Sequence, residues 1–400
     1  MHLPLKGFRV ISAEQYGAGP YGTMHLAQLG AEVIKIEPPR KGGKGGGDTA
    51  RAVGPHFLSE GESLYFQSFN LNKKSLTLDL RSEEGQQVFK ALAAKSHVVA
   101  NNMRGDLPEK LGLTYDALKD INPALVCAHL SAYGRDNERA KWPGYDYLMQ
   151  AEAGYCAVTG EPGGEPQRMG LSMVDFMTGT LFTIGLLSAL VDAQRTGKGR
   201  DVDTDLLSAA VHQTSYPALW YMNEGDETSR TPRSAHPTAT PSQMFKAKDG
   251  WMFVMCQLPK FWDILVDRIG REDLRDDPRF AKNADRLEHR EVLTQLLDEE
   301  FLKEPMAHWQ NLLAGLVPVA PVYELGDALD NPWLRTIGMR DQVPHPEKGS
   351  IDVLASPIKL DGKRLPNRTA PTLGADSDAI LEDLGYSTED IAKMRSGGII

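Results

Sequence analysis

The first half of the chain alternates short apolar runs with amphipathic segments. Apolar runs of strand length occur at five places, namely residues 8–13, 33–37, 75–80, 97–101 and 124–130. Between them lie segments with helical signals, such as Ser82 followed by Glu83 and Glu84. Strands separated by helices in this rhythm predict an α/β fold with a doubly wound parallel sheet. Ligands of such sheets bind beyond the carboxyl ends of the strands.

The second half is mostly helical and is interrupted by two polar breaks. Helices are predicted over residues 172–195, which end at Gly197 and Gly199, and over residues 205–222. Two short strands around Asp249-Gly250 predict a hairpin, and amphipathic helices follow to about residue 313. The Pro-rich breaks are expected to be linkers at 224–242 and 316–330. This division predicts a large domain at 1–223, a small domain at 243–315 and a return to the large domain at 331–400.

Composition narrows the class of protein. A chain of 400 residues is more than one compact core usually holds, so two domains are expected. The formal net charge is −10, which disfavours nucleic acid and anionic membranes as partners. The apolar run at 176–191 is sixteen residues long, and we expect it to form a buried helix that is too short to span a membrane.

Cysteine usage and the start of the chain predict the compartment. Cys127, Cys156 and Cys256 are scattered and form no CxxC pair, which suits a reducing environment. The first strand begins near Phe8, so no signal peptide is expected. We therefore expect a cytoplasmic protein.

A G-x-G-x-x-G turn follows the first predicted strand, at Gly17, Gly19 and Gly22, and an acid, Glu37, lies twenty residues after Gly17. This is the dinucleotide-binding pattern, in which the acid binds a ribose hydroxyl. The pattern is also common by chance, and Pro20 removes one amide that a pyrophosphate would use. A tight strand-to-helix turn without a ligand explains the motif equally well.

Two other features carry possible chemistry. Arg40, Lys41 and Lys44 lie among glycines after the second strand, which suits either phosphate binding or a solvated surface loop. Asp175 lies at the first turn of the apolar helix, where the helix N-terminus is expected to keep it ionised while burial keeps it poorly hydrated. Such a carboxylate is either a nucleophile or an acid that merely complements the helix dipole.

Metal and serine-hydrolase chemistry are not expected. The ten histidines form no HxxxH pair with a supporting acid, and the chain has no GxSxG elbow.

Motifs spread along the chain resemble the family III CoA-transferases, the superfamily that includes formyl-CoA transferase and the α-methylacyl-CoA racemases. They keep their order and are Gly17-Ala-Gly-Pro20, Val33-Ile-Lys-Ile-Glu37, the segment 69–79, Asn101-Asn-Met-Arg-Gly105, Leu111-Gly-Leu113, Gly144-Tyr-Asp146, Gly170 with Asp175 and Gly179, the segment 197–202, Asp249-Gly250 and Ala370-Pro-Thr-Leu-Gly374. The resemblance implies a Rossmann-like large domain built from both chain ends and a smaller central α+β domain. It also implies ring-shaped subunits interlocked as a homodimer.

The resemblance also implies a reaction and its residues. Asp175 matches the family nucleophile, which transfers CoA from an acyl-CoA to a carboxylic acid through anhydride and enzyme–CoA thioester intermediates. CoA is then a substrate, and neither a tightly bound cofactor nor a metal is expected. The implied CoA contacts are Gly17, Ala18, Arg40, Leu78, Arg81, Asn102, Met103, Arg104, Lys110, Tyr145 and Asp146. Arg40 stands in for an arginine that the family often has directly after the Glu37 position, and Gly17 replaces a frequent glutamine.

Other functions remain as alternatives. Racemases of the superfamily pair the aspartate with a histidine, and that position falls on Tyr145 here, which favours the transferase because an unperturbed tyrosine has a pKa of about 10. An NAD(P)-dependent oxidoreductase is a more distant alternative. Arg168 and the segment around His236 are candidates for binding a second carboxylate, which suggests a small dicarboxylate as the acceptor acid.

Overall fold

The computed structural model of the chain describes residues 1–40, 42, 45–59 and 61–400. Within these ranges the strands are β1 Arg9–Ala13, β2 Glu32–Glu37, β3 Phe57–Ser59, β4 Glu62–Ser63, β5 Lys74–Thr77, β6 Val98–Asn101, β7 Val126–Ser131, β8 Arg200–Asp205, β9 Ser242–Ala247, β10 Gly250–Met255, β11 Val319–Pro321, β12 Arg340–His345, β13 Gly349–Leu354, β14 Lys359–Leu360 and β15 Lys363–Arg364. The helices are α1 Ala18–Gln28, α2 Leu64–Asn70, α3 Glu83–Ala94, α4 Leu107–Lys110, α5 Tyr115–Leu118, α6 Asp146–Glu152, α7 Tyr155–Val158, α8 Met173–Thr196, α9 Leu206–Gln213, α10 Tyr216–Glu224, α11 Pro259–Arg268, α12 Asp273–Asp276, α13 Asn283–Glu288, α14 Arg290–Phe301, α15 Met306–Leu313, α16 Leu325–Asp330, α17 Pro332–Thr336, α18 Ser377–Asp383 and α19 Thr388–Ser396.

The main sheet is parallel and has the strand order β5-β2-β1-β6-β7-β8. If its strands are numbered along the chain, this is the order 3-2-1-4-5-6, which reverses direction between β1 and β6. Ile11 of β1 lies opposite Ile34 on one side and Val99 on the other. The predicted α/β class with a parallel sheet is confirmed. The reversal between β1 and β6 is the place where such sheets open a crevice for ligands.

Strand β8 is absent from the sequence-based prediction. It alternates charged and small residues, and it lies at the edge of the sheet beside β7. An edge strand does not need the continuous apolar run that marks a central parallel strand, so hydrophobicity gives no signal for it.

The predicted helix over 205–222 is two helices, α9 and α10. Ser215 separates them with a φ of 54°, in the left-handed region. A non-glycine residue in this conformation breaks the helical path. The single-helix prediction is therefore wrong at this point.

The part of the chain that the structure describes divides into two compact units. The first contains Met1–Ala153, Met169–Ser215 and Trp333–Ile400, and the second contains Gly154–Arg168 and Tyr216–Pro332. The first has its core on the parallel sheet, around Ile11, Phe89 and Val99. The second has its own core on the β9–β10 hairpin, around Phe245 and Trp262. The sequence predicts that residues 154–168 and 216–223 belong to the large domain, whereas in the structure they group with the second unit.

Helix α8 is the long apolar helix that the sequence predicts over 172–195. It packs on α1, β7 and β8. By length and composition it is apolar enough to cross a membrane, with a best window of mean hydropathy 1.7, of which 44% is buried inside the chain. The expectation that this segment is too short to span a membrane is therefore wrong, although core helices of soluble proteins meet the same criteria.

The C-terminal segment returns to the open edge of the sheet at β5. Ser75 donates its N–H to Asp376 Oδ2 at 2.9 Å, and Asp376 donates its N–H to Ser75 O at 3.0 Å. Thr77 donates its N–H to Ser377 Oγ at 3.1 Å. These bonds pair backbone N–H and C=O groups that β5 would otherwise leave unpaired at the edge of the sheet.

Candidate active site

A cavity of about 700 Å³ opens at the carboxyl ends of the parallel strands, within the first unit. Its volume lies in the range of small-molecule sites. Its wall includes the predicted site residues Gly17, Ala18, Leu78, Arg81, Asn102, Met103, Arg104, Lys110, Tyr145 and Asp175. The other two residues with an implied CoA contact, Arg40 and Asp146, do not line it, and neither do the acceptor-site candidates Arg168 and His236, which belong to the second unit.

A close crossing of α1 and α8 sets the position of Asp175. A Cβ on residue 22 would lie 2.7 Å from Gly179 O, and a Cβ on residue 179 would lie within 3.0 Å of Ala18 O. Real Cβ atoms essentially never come this close, so both positions need glycine. At the start of α8, a Cβ on residue 17 would likewise lie within 3.0 Å of Asp175 Oδ2. Gly22 of the fingerprint therefore serves the helix crossing, and Gly17 leaves room for the carboxyl group of Asp175.

The Asp175 carboxyl group ionises less readily than an ordinary aspartate. Burial raises its pKa from 3.8 to about 7, and the nearby negative charge of Asp146 contributes to the increase. The expectation that the helix N-terminus keeps this group fully ionised is wrong, because burial and the charge of Asp146 raise its pKa. Near pH 7 both protonation states are populated, and the ionised form is a poorly hydrated nucleophile.

Asp146 lies directly behind the first turn of α8. Its Oδ2 accepts a hydrogen bond from Asp175 N–H at 3.0 Å, and its Oδ1 accepts one from Gln150 Nε2 at 2.6 Å. Gln150 Oε1 accepts the N–H of Met169 at 2.8 Å. The side chain of Asp146 is buried and faces Asp175 and Gln150. Asp146 therefore holds the segment 169–175 in place and helps to raise the pKa of Asp175.

Two tyrosines near Asp175, Tyr16 and Tyr65, are not predicted as site residues from the sequence. Tyr16 has a φ of 68° and donates its N–H to Asp48 Oδ1 at 3.0 Å. Its ring lies 5.3 Å from that of Tyr65 and 6.0 Å from that of Tyr145. Burial, with Tyr16 and Asp175 nearby, raises the pKa of Tyr65, so its hydroxyl stays protonated. Residue type alone does not reveal that Tyr16 takes a left-handed conformation, which is what turns the chain here.

Arg104 and Lys110 share one carboxylate at the cavity wall. Arg104 Nε lies 3.3 Å from Asp106 Oδ1, and Lys110 Nζ lies 2.6 Å from Asp106 Oδ2. The Lys110 hydrogen bond is the main reason why the pKa of Asp106 is lowered. Two cations on one anion leave the group net positive, as a phosphate site requires.

Arg81 belongs to the same side of the cavity. Gln86 Nε2 donates to Leu80 O at 2.7 Å and to Leu111 O at 3.1 Å. This bridge holds the residue before Arg81 next to the residue after Lys110. Arg81, Arg104 and Lys110 therefore form one cationic wall.

The Gly/Lys loop after β2 is described only in part. Lys41 and Lys44 lie outside the described residues. Pro38 and Pro39 line the cavity, whereas Arg40 is exposed and does not.

Glu37, the acid of the fingerprint, is bound inside the protein. Its carboxylate accepts two hydrogen bonds from Arg51, both at 2.7 Å, and one from Ser75 Oγ at 2.7 Å. Burial alone would raise the pKa of Glu37, but the Arg51 hydrogen bonds outweigh it and the pKa is lowered. With 1% of its surface exposed, Glu37 has no free face for a ribose. This arrangement disfavours a dinucleotide site of the oxidoreductase type.

Buried lysines hold the backbone on both sides of the glycine turn. Lys35 Nζ donates to Glu14 O at 2.7 Å and pairs with Asp48 Oδ2 at 2.8 Å. Lys73 Nζ donates to Pro20 O at 2.9 Å, and burial lowers the pKa of Lys73 to about 7. The two lysine side chains therefore hold the backbone of the turn at residues 14 and 20.

Within the described ranges, no group of three or more His, Cys, Asp or Glu side chains could hold a metal ion. None of the described residues that line the cavity is a histidine.

Comparison with known proteins fits this geometry. The model of CoA-transferase family III matches residues 5–377. The acetyl-CoA:oxalate CoA-transferase of Acetobacter aceti is 32% identical over 385 residues, which cover 95% of each chain. The succinyl-CoA:glutarate CoA-transferase of Mus musculus is 33% identical over 402 residues, which cover 99% of this chain and 90% of the relative. Among solved structures, a CAIB/BAIF family protein from Brucella suis matches with a TM-score of 0.83 at 32% identity, over 96% of this chain and 100% of that chain.

A buried carboxyl group in a cation-lined cavity suits an enzyme that transfers a group from a phosphorylated carrier. The chain belongs to CoA-transferase family III, as its sequence motifs indicated. It is an enzyme with CoA-transferase activity, and its family acts on CoA thioesters as substrates.

Proposed function

We propose that Asp175 is the nucleophile of this CoA transfer and carries both covalent intermediates. Its carboxylate attacks the thioester carbonyl of the donor, forming a mixed anhydride and releasing CoA thiolate. The thiolate attacks the aspartyl carbonyl, which forms an aspartyl-CoA thioester and releases the donor acid as its carboxylate. The acceptor carboxylate then repeats the two steps in reverse, and the new acyl-CoA leaves. Each step replaces one acyl bond by another, so no ATP and no net proton transfer are needed.

One observation carries this proposal, namely the carboxyl group of Asp175 in a cavity whose wall also holds Arg81, Arg104 and Lys110. The cations suit the phosphates of CoA. Asn102 accepts the N–H of Gln15 at 2.8 Å and donates to its carbonyl at 2.6 Å, which joins the loops after β1 and β6. The carboxyl group and the cations therefore belong to one preformed site.

The direct test is to trap CoA on the enzyme. Incubation with an acyl-CoA in the absence of acceptor should add the mass of CoA, less water, to the peptide that contains Asp175. Asp175→Asn should neither acquire this mass nor transfer CoA. Asp116→Asn is the matched control, because Asp116 also lies in the first turn of a helix but outside the cavity. Full transfer activity in Asp175→Asn would overturn the proposal.

The proposed acceptor is a small dicarboxylate. The two relatives described above are named for oxalate and for glutarate, both of which carry two carboxylates. Acids of equal chain length with one or two carboxylates, such as valerate and glutarate, should be compared with one CoA donor. The diacid should be the better substrate, and a consistent preference for the monoacid would contradict the acceptor class but not the role of Asp175.

A racemase or epimerase of the same superfamily is the alternative reaction. The racemases pair the aspartate with a histidine, whereas the matching position here is Tyr145 and none of the described residues that line the cavity is a histidine. Exchange of the α-proton of an acyl-CoA for deuterium, without any acceptor acid, would favour this alternative.

The proposal includes an interlocked homodimer of ring-shaped subunits with Rossmann-like large domains, in the cytoplasm. The family supplies this architecture, and exposed apolar side chains on the first unit fit it. Ile184 and Val191 of α8 and Val211 of α9 are each about half exposed. Light scattering of the purified enzyme should give twice the mass of the chain, and a monomer that transfers CoA would contradict the dimer.

A further inference from the structure

Trp142 lines the cavity but has no part in the transfer mechanism. It lies in the loop after β7, and its side chain is 50% exposed. A half-exposed indole in a ligand cavity is apolar surface that a bound ligand would cover.

The indole is held in position before any ligand arrives. The guanidinium of Arg139 lies 4.8 Å from the Trp142 ring and 5.6 Å from the Tyr133 ring. The two rings meet edge to face at 5.8 Å. Glu152 fixes the arrangement from behind, because it pairs with Arg139 and accepts the Tyr133 hydroxyl at 2.9 Å. These four side chains, Tyr133, Arg139, Trp142 and Glu152, form what we call the indole platform.

The platform belongs to the loop after β7, whereas the cationic wall comes from the loops after β5 and β6. The cationic wall is built where segment 80–81 meets segment 110–111. Trp142 instead precedes Tyr145 by three residues, and the Tyr145 ring is 6.0 Å from Tyr16, the residue before the glycine turn. With the phosphates of a CoA thioester at the cations and its carbonyl at Asp175, the part of the cavity wall that includes Trp142 is left for the pantetheine arm.

We propose that Trp142 packs against the pantetheine arm of the CoA substrate, and that Arg139 is the positioning residue that holds the indole there. This inference rests on the proposed function, since it assumes the CoA orientation given above. The contact is apolar and independent of the acyl group, so free CoA makes it as well as an acyl-CoA does.

Binding without chemistry tests the contact. Wild type, Trp142→Phe and Trp142→Ala should be titrated with free CoA and, separately, with adenosine 3′,5′-bisphosphate, which lacks the arm. Loss of the covered indole surface should weaken CoA binding about tenfold in Trp142→Ala. Binding of the bisphosphate should not change, and Trp142→Phe should stay close to wild type because it keeps an aromatic face. Trp333→Phe is the control, since Trp333 is exposed and lies outside the cavity wall.

Two results would overturn the contact. One is unchanged CoA affinity in Trp142→Ala, and the other is an equal loss for the bisphosphate, which would assign Trp142 to the nucleotide. A wild-type enzyme that neither binds CoA nor acquires it on Asp175 would instead overturn the proposed function itself. The two failures are therefore distinguishable.

The positioning role of Arg139 needs a readout that simple destabilisation would not give. Arg139→Met should raise the KM for the acyl-CoA and leave kcat unchanged, whereas Arg139→Lys should restore KM because it keeps a cation near the rings. In a Trp142→Ala background, Arg139→Met should have no further effect on CoA affinity. An equal effect in both backgrounds, or a fall in kcat alone, would overturn the role.

Discussion

Replacing Gly22 by alanine tests whether the crossing of α1 and α8 positions Asp175, the proposed nucleophile. The new Cβ would lie 2.7 Å from Gly179 O and 2.9 Å from Thr183 Oγ1, whereas ordinary van der Waals contact begins at 3.4 Å. The helices must therefore separate at this point by about 0.7 Å, the difference between 2.7 and 3.4 Å. Because Asp175 lies in the first turn of α8 and Gly17 precedes α1, the separation moves the carboxyl group relative to the turn.

Both stability and rate follow from this displacement. Alanine favours a helix over glycine by about 1 kcal/mol, and overpacking costs about 1–3 kcal/mol, so Gly22→Ala should lose roughly 0–2 kcal/mol of unfolding free energy. A misplacement of about 1 Å can cost about a hundredfold in rate, so kcat should fall on the order of tenfold to hundredfold. KM for the acyl-CoA should change less, because the cationic wall does not move.

Gly185→Ala provides the matched control in α8. Its Cβ would meet only Val202 Cγ1, at 3.1 Å, and that side chain can yield. This variant should keep kcat and be as stable as wild type or more so. The assays are CoA transfer between two acids and urea unfolding. The reasoning fails if Gly22→Ala keeps the wild-type kcat, or if Gly185→Ala loses as much.

Further expectations concern charge. The pKa of Asp175 is about 7, and the proposed mechanism uses its ionised form. The value of kcat/KM should therefore rise between about pH 6 and pH 8, and Asp146→Asn should move the rise to lower pH; a flat profile would contradict this. Glu37→Gln leaves Arg51 buried without its carboxylate, so urea unfolding should show a loss of about 3–5 kcal/mol, and a loss below about 1 kcal/mol would refute the buried pair. Burial lowers the pKa of Lys73 from 10.5 to about 7. Between these two pH values the unfolded chain therefore binds more protons than the folded protein does. Wild-type stability should therefore rise with pH there, and Lys73→Met should remove the rise; an equal rise in both would exclude Lys73 as its source.

Sequence patterns were most informative where one signal decides the local structure. The apolar runs at β1, β2, β6 and β7 identify central parallel strands, because such strands are buried on both faces. The motifs around Asp175 identify the family, which the comparisons confirm. Most residues predicted to contact CoA line one cavity.

Other features depend on neighbours that are distant in sequence. Whether Asp175 stays ionised depends on burial and on Asp146, twenty-nine residues earlier. The conformation of Tyr16 depends on Asp48, thirty-two residues later. The orientation of Asp146, away from the cavity, follows from Gln150 and the N–H of Asp175. A local pattern cannot report these tertiary contacts.

The bonds between β5 and the C-terminal segment bear on how the protein is made. Thr77 and its partner Ser377 are separated by 300 residues, so a ribosome exposes β5 long before the segment that covers it. During that time the sheet has a bare edge, which is a template for pairing with other nascent chains. The second unit, encoded in between, can form its own core first. Completion of the sheet that carries the active site is therefore a late event of synthesis, and chains that stop before residue 377 keep an aggregation-prone edge.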